Sequence, residues 1–355
     1  MIVDPEQVNF FRSIAQREFA LKVLDDLGPD SLEHLLVLTE SVSEIYKHLL
    51  YESFEEVLIC KSLNSTPIFE FMDSSKVIEV TSLNSFSNRR GNQICIEIVN
   101  RNKFRICIDA KINKNELIKD AILYQHLSYS EEETIYTTNS TSTLRQIPGS
   151  DSYFALQSFK ELDKALEQYA IKRARNSNCP ILKNAWFSKS RIFFKVKPES
   201  LLRDSLTDFL KISFREEVRP EQIVDDSHPV DIKVTWQMIN RIALIEIKWL
   251  GKSLKNLGEE FTSIYTDARA REGAKQLSDY LDENIIQAPD KNSKGYLVIF
   301  DARRWQTNNQ TKDISEENGL YYINSEINYN PKYEIIRKDF AKPIRFFINP
   351  IIKLN

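Results

Sequence analysis

The stretch IALIEIKWLGKS, residues 242–253, sets the fold class. It is apolar apart from Glu246 and Lys248 until it breaks at Gly251. Side chains on a strand alternate between faces, so positions 246 and 248 share one side. Ala243, Leu244, Ile245 and Ile247 put apolar groups on both faces, the pattern of a central strand covered on each side. A carboxylate and an ammonium are costly to bury unless they pair or bind something. The two residues are therefore either a structural ion pair or half of a site.

Outward from this strand the order is distinctive. PESLLRDSLTDFLKISF, from Pro198, reads as a helix with Leu201, Leu202, Leu206, Phe209 and Leu210 as its core positions. REEVRPEQIV follows as a strand or hairpin arm, and PVDIKVTW (229–236) as a strand. After residue 253 a helix starting near 262 carries EGAKQLSDYL, and KGYLVIFDARR is a further strand. Helix, three strands, helix and strand predict a mixed central sheet flanked by helices, an α/β domain. Ala270, Gly273, Ala274 and Leu277 form a small-residue stripe suited to close packing on that sheet.

Asp231 precedes Glu246 by fifteen residues (246 − 231), room for one strand, a turn and the next strand. Antiparallel neighbours can therefore set the two carboxylates side by side. Converging carboxylates repel unless a cation sits between them. A hard ion such as Mg²⁺ takes oxygen ligands, commonly one or two carboxylates with waters and substrate phosphate. Lys248 on the same face can hold a water there and offset charge on a phosphate.

The set VDIKV…IALIEIKW resembles the PD-(D/E)XK nuclease superfamily over about residues 198–305, with Pro229 one place earlier than the usual motif proline. The resemblance implies a restriction-endonuclease-like fold and a metal-dependent endonuclease that hydrolyses phosphodiester bonds. It implies Asp231 and Glu246 as ligands of Mg²⁺ or Mn²⁺, the main chain of Ile247 as a further ligand, and Lys248 as the group that orients the water. It also implies an acidic residue on the preceding helix, Glu199 with Asp204 second, and Gln276 with Tyr280 one turn on. Double-stranded DNA is the expected substrate, in restriction or antiviral defence. Two alternatives stay open: a catalytically inactive nuclease fold that binds or assembles, and an RNA-cleaving effector. Cleavage of both strands would favour a homodimer.

Several basic and polar residues carry weaker signals. Lys252, Lys255, Arg303 and Arg304 suit phosphate contacts or a plain surface, and His228 reads as a loop histidine. The first 150 residues are expected to form an α+β domain that senses a ligand or binds a partner, and 151–355 the nuclease-like domain. Helices are expected at 5–26 (face Phe10, Ile14, Phe19, Val23), at 31–51 (Leu32, Leu35, Leu36, Val42, Ile45, Leu49), and at 115–128. Strands are expected at EEVLIC, TPIFEF and KVIEVTS, and a hairpin in QICIEIVNRNKFRICIDAKI. Arg89, Arg90, Arg101, Lys103 and Arg105 make a modest basic cluster, by default a solvated hairpin face. Residues 129–152 read as a polar loop or linker, 153–174 as a helix, and 190–196 as a short strand.

Composition narrows the classes. The formal charge is −3, too low for a protein that binds through a broad basic field. Only 8 glycines occur, with no G-x-x-x-x-G-K-[ST] or G-x-G-x-x-G pattern, so a phosphate loop is not expected. Cys60, Cys95, Cys107 and Cys179 form no C-x-x-C pair, and a zinc centre is not expected. The start lacks a signal peptide, and no apolar run reaches the roughly 18 residues of a membrane span. A cytoplasmic protein without membrane contact is expected.

Overall fold

A computed structural model describes residues 5–64, 68, 76–87, 89–130, 132–144, 152–155, 159–213, 217–223, 229–237 and 239–353. The chain divides into two compact units. One comprises residues 1–157 with 238–240 and 290–292, and the other holds the rest. Both are built on a mixed sheet flanked by helices. Among the described residues no helix is long and apolar enough to cross a membrane.

The first unit opens with α1 (Pro5–Leu27) and α2 (Ser31–His48). Phe19, Val23, Leu35, Val42 and Ile45 are buried, as their spacing predicts, but Ile14 and Leu36 lie outside the buried stripe and are exposed. The strands are β1 (Glu56–Ser62), β2 (Ile78–Val80), β3 (Gln93–Asn100) and β4 (Lys103–Ile108). A single helical turn, α3 (Lys114–Leu117), leads to β5 (Ala121–Leu127), β6 (Glu132–Tyr136) and β7 (Thr141–Leu144). The sheet order is β2-β4-β3-β1-β5-β6-β7. β1 and β3 run parallel, and the other neighbouring strands of this sheet are antiparallel.

Two expectations fail here. Residues 121–127 form a strand inside the sheet, not the continuation of a helix. Its first six residues are all buried, so both faces are covered and no alternation of period two survives to mark it. Residues 132–144 form the β6–β7 hairpin rather than a linker, with Thr134 and Thr143 paired through their hydroxyls at 2.9 Å. Of TPIFEF, only Ile68 lies within the described residues. All four cysteines are buried free thiols.

The second unit begins with α4 (Phe159–Tyr169), six residues later than its sequence suggests, and continues into a π-helical turn at Ala170–Ala174. α5 (Pro180–Asn184) and α6 (Glu199–Ser213) follow. Residues 190–196 make no strand. Phe194 alone bridges to Trp186 and to Ser253. Then come β8 (Glu217–Ile223), β9 (Pro229–Trp236), β10 (Arg241–Ser253) and β11 (Ser263–Tyr265). After α7 (Asp267–Gln287) and β12 (Asn292–Asp301), the chain ends with α8 (Glu316–Leu320), α9 (Tyr333–Ile336) and β13 (Ile344–Phe347). The sheet order is β13-β12-β10-β9-β8, with β11 added to the end of β10. β13 joins parallel to β12, an edge strand too short to be marked by its sequence.

β10 is the middle of this sheet and is buried along almost its whole length. Its apolar residues Ile242, Leu244 and Leu250 pack with Leu277, Leu281, Leu297 and Ile299. Fully burying each such side chain contributes about 1.5–3 kcal/mol. α7 crosses this layer on its small residues. A Cβ on Gly273 would stand 2.5 Å from Lys248 Cγ and 3.1 Å from Leu297 Cδ1, so glycine lets the helix ride directly on the lysine stem. At Gly251 the backbone takes φ +134°, and a Cβ there would meet the Ala302 carbonyl oxygen at 3.0 Å. β10 runs through Gly251 to Ser253 rather than breaking there, and the glycine permits a close approach to the end of β12.

Candidate active site

Hydrogen-bonded register brings the two carboxylates together. β9 and β10 pair antiparallel with Leu244 opposite Lys233 and Ile245 opposite Ile232. One step further places Glu246 opposite Asp231, on the same face because directly opposed residues share a face. Asp231 Oδ2 accepts a 2.8 Å hydrogen bond from the Ile247 amide, which ties the carboxylate to the neighbouring strand. The Ile247 main chain is therefore at the site through its N–H.

Lys248 reaches back two residues to Glu246, with Nζ 2.5 Å from Oε1, and donates to Gln276 Oε1 at 2.9 Å. Gln276 donates to the Tyr280 hydroxyl at 2.5 Å, and that hydroxyl donates to the Pro229 carbonyl at 3.4 Å. The chain of donors thus runs from β10 across one turn of α7 and back to the start of β9. Gln276 and Tyr280 stand four residues apart, so one helix face carries both.

Two arginines that the sequence reading did not single out complete the surroundings. Arg203, on α6, lies 3.7 Å from Asp231 Oδ1. Arg269, on α7, lies 3.3 Å from Glu199 Oε1 and 2.8 Å from Glu272 Oε2. Only the helical period could have signalled them: Arg203 is one turn beyond Glu199, and Arg269 two turns before Gln276. Glu199 is about half exposed and raises the cost of ionising Asp231, so it belongs to the rim. Asp204 is exposed on α6.

The electrostatics follow from burial. Glu246 is 2% exposed, and burial together with the Asp231 charge pushes its carboxyl up to about 8, against the pull of Lys248 and Arg269. Asp231 is raised for the same first reason. Its Ile247 hydrogen bond and the charges of Lys248 and Arg203 act the other way, and Glu199 adds to the rise. Burial thus favours the protonated form of Glu246 well above the ordinary carboxylate range. Its Oε2 is buried and has no hydrogen-bond partner. An orphaned buried carboxylate oxygen costs about 1–3 kcal/mol, more when charged.

Those donors fit a hard divalent cation. Two carboxylates on one face, one with a free buried oxygen, are oxygen ligands of the kind Mg²⁺ or Mn²⁺ takes. Among the described residues no group of three His, Cys, Asp or Glu side chains gathers closely enough to hold a metal alone. The side-chain share would be the Asp231 and Glu246 carboxylates.

The other basic residues serve the fold. Lys252 donates to the Thr307 carbonyl at 2.6 Å and lies over the Phe261 ring. Arg303 pairs with Asp301 and Asp267, and buried Arg304 donates to main-chain carbonyls. Lys255 is exposed, and His228 lies outside the described residues. In the first unit Arg101 faces Glu40, Lys103 faces Glu79, and Arg105 faces Glu79 and Glu97, so most of that basic cluster is neutralised. Comparison of the chain with protein-family models, curated proteins and solved structures returns no match.

Proposed function

We propose that the second unit is a divalent-metal-dependent phosphodiesterase, a nuclease of the PD-(D/E)XK kind that its sequence resembles. The observation that carries this reading is the pairing of Asp231 with Glu246 across β9 and β10, with Lys248 bonded between Glu246 and Gln276. Asp231, Glu246 and the Ile247 carbonyl would hold Mg²⁺ or Mn²⁺. When bound, the ion neutralises charge developing on the phosphoryl oxygens.

The chain's own groups do the rest. An ammonium has three donors, and Glu246 and Gln276 take two of those of Lys248. The third holds the attacking water in line with the phosphorus, and the positive charge stabilises the transition state. Gln276, fixed by Tyr280, orients the lysine. Glu199, on the rim, is the outermost acidic member and acts through Arg269 and Asp231. We assign double-stranded DNA as the substrate and restriction or antiviral defence as the setting, on the resemblance alone. The first unit then serves as the sensor or partner-binding module.

A second reading has one observation in its favour. Lys248 already occupies Glu246 Oε1, which suits a nuclease fold that binds nucleic acid without cutting it. Supercoiled plasmid and single-stranded RNA, each incubated with Mg²⁺, Mn²⁺ or EDTA, separate the readings. Metal-dependent cleavage by the wild type, lost in Lys248→Ala and Asp231→Asn, is expected, on plasmid rather than RNA. Cleavage that survives both substitutions would refute the assignment. Nucleic-acid binding without cleavage in any metal would favour the second reading.

A further inference from the structure

The second unit holds a cavity away from the paired carboxylates, about 610 Å³ in volume. Its wall includes Lys183, Lys189, Arg191 and Lys195, with Trp186 and Phe187. No lining residue among those described is acidic. No described carboxylate is an ion-pair partner of any of the four cations. This contrasts with the first unit's basic hairpin, where Arg101, Lys103 and Arg105 all face glutamates.

Arg191 is the best-buried of the four. Its guanidinium donates to the Asn176 carbonyl, while its Nε is buried with no partner. Burial alone lowers its affinity for the proton, with no carboxylate to restore it. Beneath it lies Arg304, 6% exposed, which donates to the carbonyls of Arg191, Arg303 and Ile348 and whose Nε is also unpartnered. Arg304 is held down to about 9 by burial, and Arg191 adds to the effect against the pull of Asp301. Arg304 lies outside the cavity wall, so an anion there would meet the four wall cations, Lys183, Lys189, Arg191 and Lys195.

The aromatic part is rigid. Trp186 donates from Nε1 to Ser177 Oγ at 2.9 Å and stacks on Phe194 with centroids 4.3 Å apart. Cavities of about 300–1,000 Å³ suit small ligands, and an apolar wall beside convergent polar groups orients them. Guanidinium groups hold phosphate through paired hydrogen bonds, and ammonium groups hold it as point charges.

We propose that this cavity binds a nucleotide, its phosphates between Arg191, Lys183, Lys189 and Lys195 and its base against Trp186 and Phe187. The site is separate from the paired carboxylates and does not depend on the activity proposed for them. A volume of about 610 Å³ suits a single small ligand.

Calorimetry of the full chain in EDTA, titrated with ATP, AMP, pyrophosphate and a thymidine decanucleotide, tests this. ATP and pyrophosphate are expected to bind, with AMP weaker because it brings fewer charges. Arg191→Gln and Lys195→Ala should each weaken ATP binding at least ten-fold, and Lys248→Ala should leave it unchanged. Lys195 is exposed, so its variant keeps the result readable if Arg191→Gln fails to fold. No binding of ATP or pyrophosphate at millimolar concentration would overturn the proposal. So would binding that both variants leave intact, loss of binding in Lys248→Ala, or binding of the decanucleotide alone.

Discussion

Replacing Glu246 by glutamine should abolish a pH dependence of stability that the wild type carries in its second unit. The carboxyl titrates near 8 in the folded protein against an ordinary 4.5. The folded state therefore binds more protons than the unfolded state between these values, and stability falls as pH rises from 4.5 to 8. The loss is complete above 8 and absent below 4.5. At 1.36 kcal/mol per pH unit the full difference approaches about 5 kcal/mol, and the window from pH 5 to pH 8.5 covers about 3–5 of it. The assay is urea unfolding in EDTA at pH 5 and pH 8.5, comparing wild type with Glu246→Gln at each. All four tryptophans (Trp186, Trp236, Trp249 and Trp305) lie in the second unit, so their fluorescence reports it alone. The wild type should lose about 3–5 kcal/mol relative to the variant between the two pH values. Mg²⁺ should bind the wild type at pH 7 with release of close to one proton, read from calorimetry in buffers of different ionisation enthalpy. A wild-type-minus-variant difference that stays within about 1 kcal/mol across this range would refute the claim that burial dominates Glu246.

Three other outcomes follow from particular contacts. Gly273→Ala brings a Cβ to 2.5 Å from Lys248 Cγ, so the lysine must move. Cleavage should fall at least ten-fold, while the melting temperature changes little because alanine gains about 1 kcal/mol in a helix. Asp301 is fully buried and receives Arg303 and Arg345, so Asp301→Asn should cost about 3–5 kcal/mol in chemical denaturation followed by tryptophan emission. Glu133, buried in the first unit and bonded by Tyr124, Ser152 and the Tyr153 amide, is pushed up to about 7 by burial. The first unit should therefore lose stability as pH rises from 4.5 to 7, and Glu133→Gln should remove that slope in amide exchange of β5 and β6.

The sequence by itself determined the α6–β8–β9–β10–α7–β12 order, because those elements alternate or repeat with local periods that a buried face imposes. It also determined that Glu246 and Lys248 share a face, since period two needs no partner strand. The resemblance, not the helical period, singled out Gln276 and Tyr280, which α7 carries four residues apart. Local pattern misread residues 121–127, where burial on both sides of β5 erased alternation, and 132–144, where short polar strands look like a linker. Tertiary structure alone decided the register that sets Asp231 opposite Glu246. It also decided the seating of Gly273 on the Lys248 stem, and the approach of Arg203 and Arg269. The same holds for the basic cavity, whose lining combines residues 176–195 with Ile351 from the far end of the chain. Register and long-range approach depend on which distant surfaces bury each other, and no period within one segment encodes that choice.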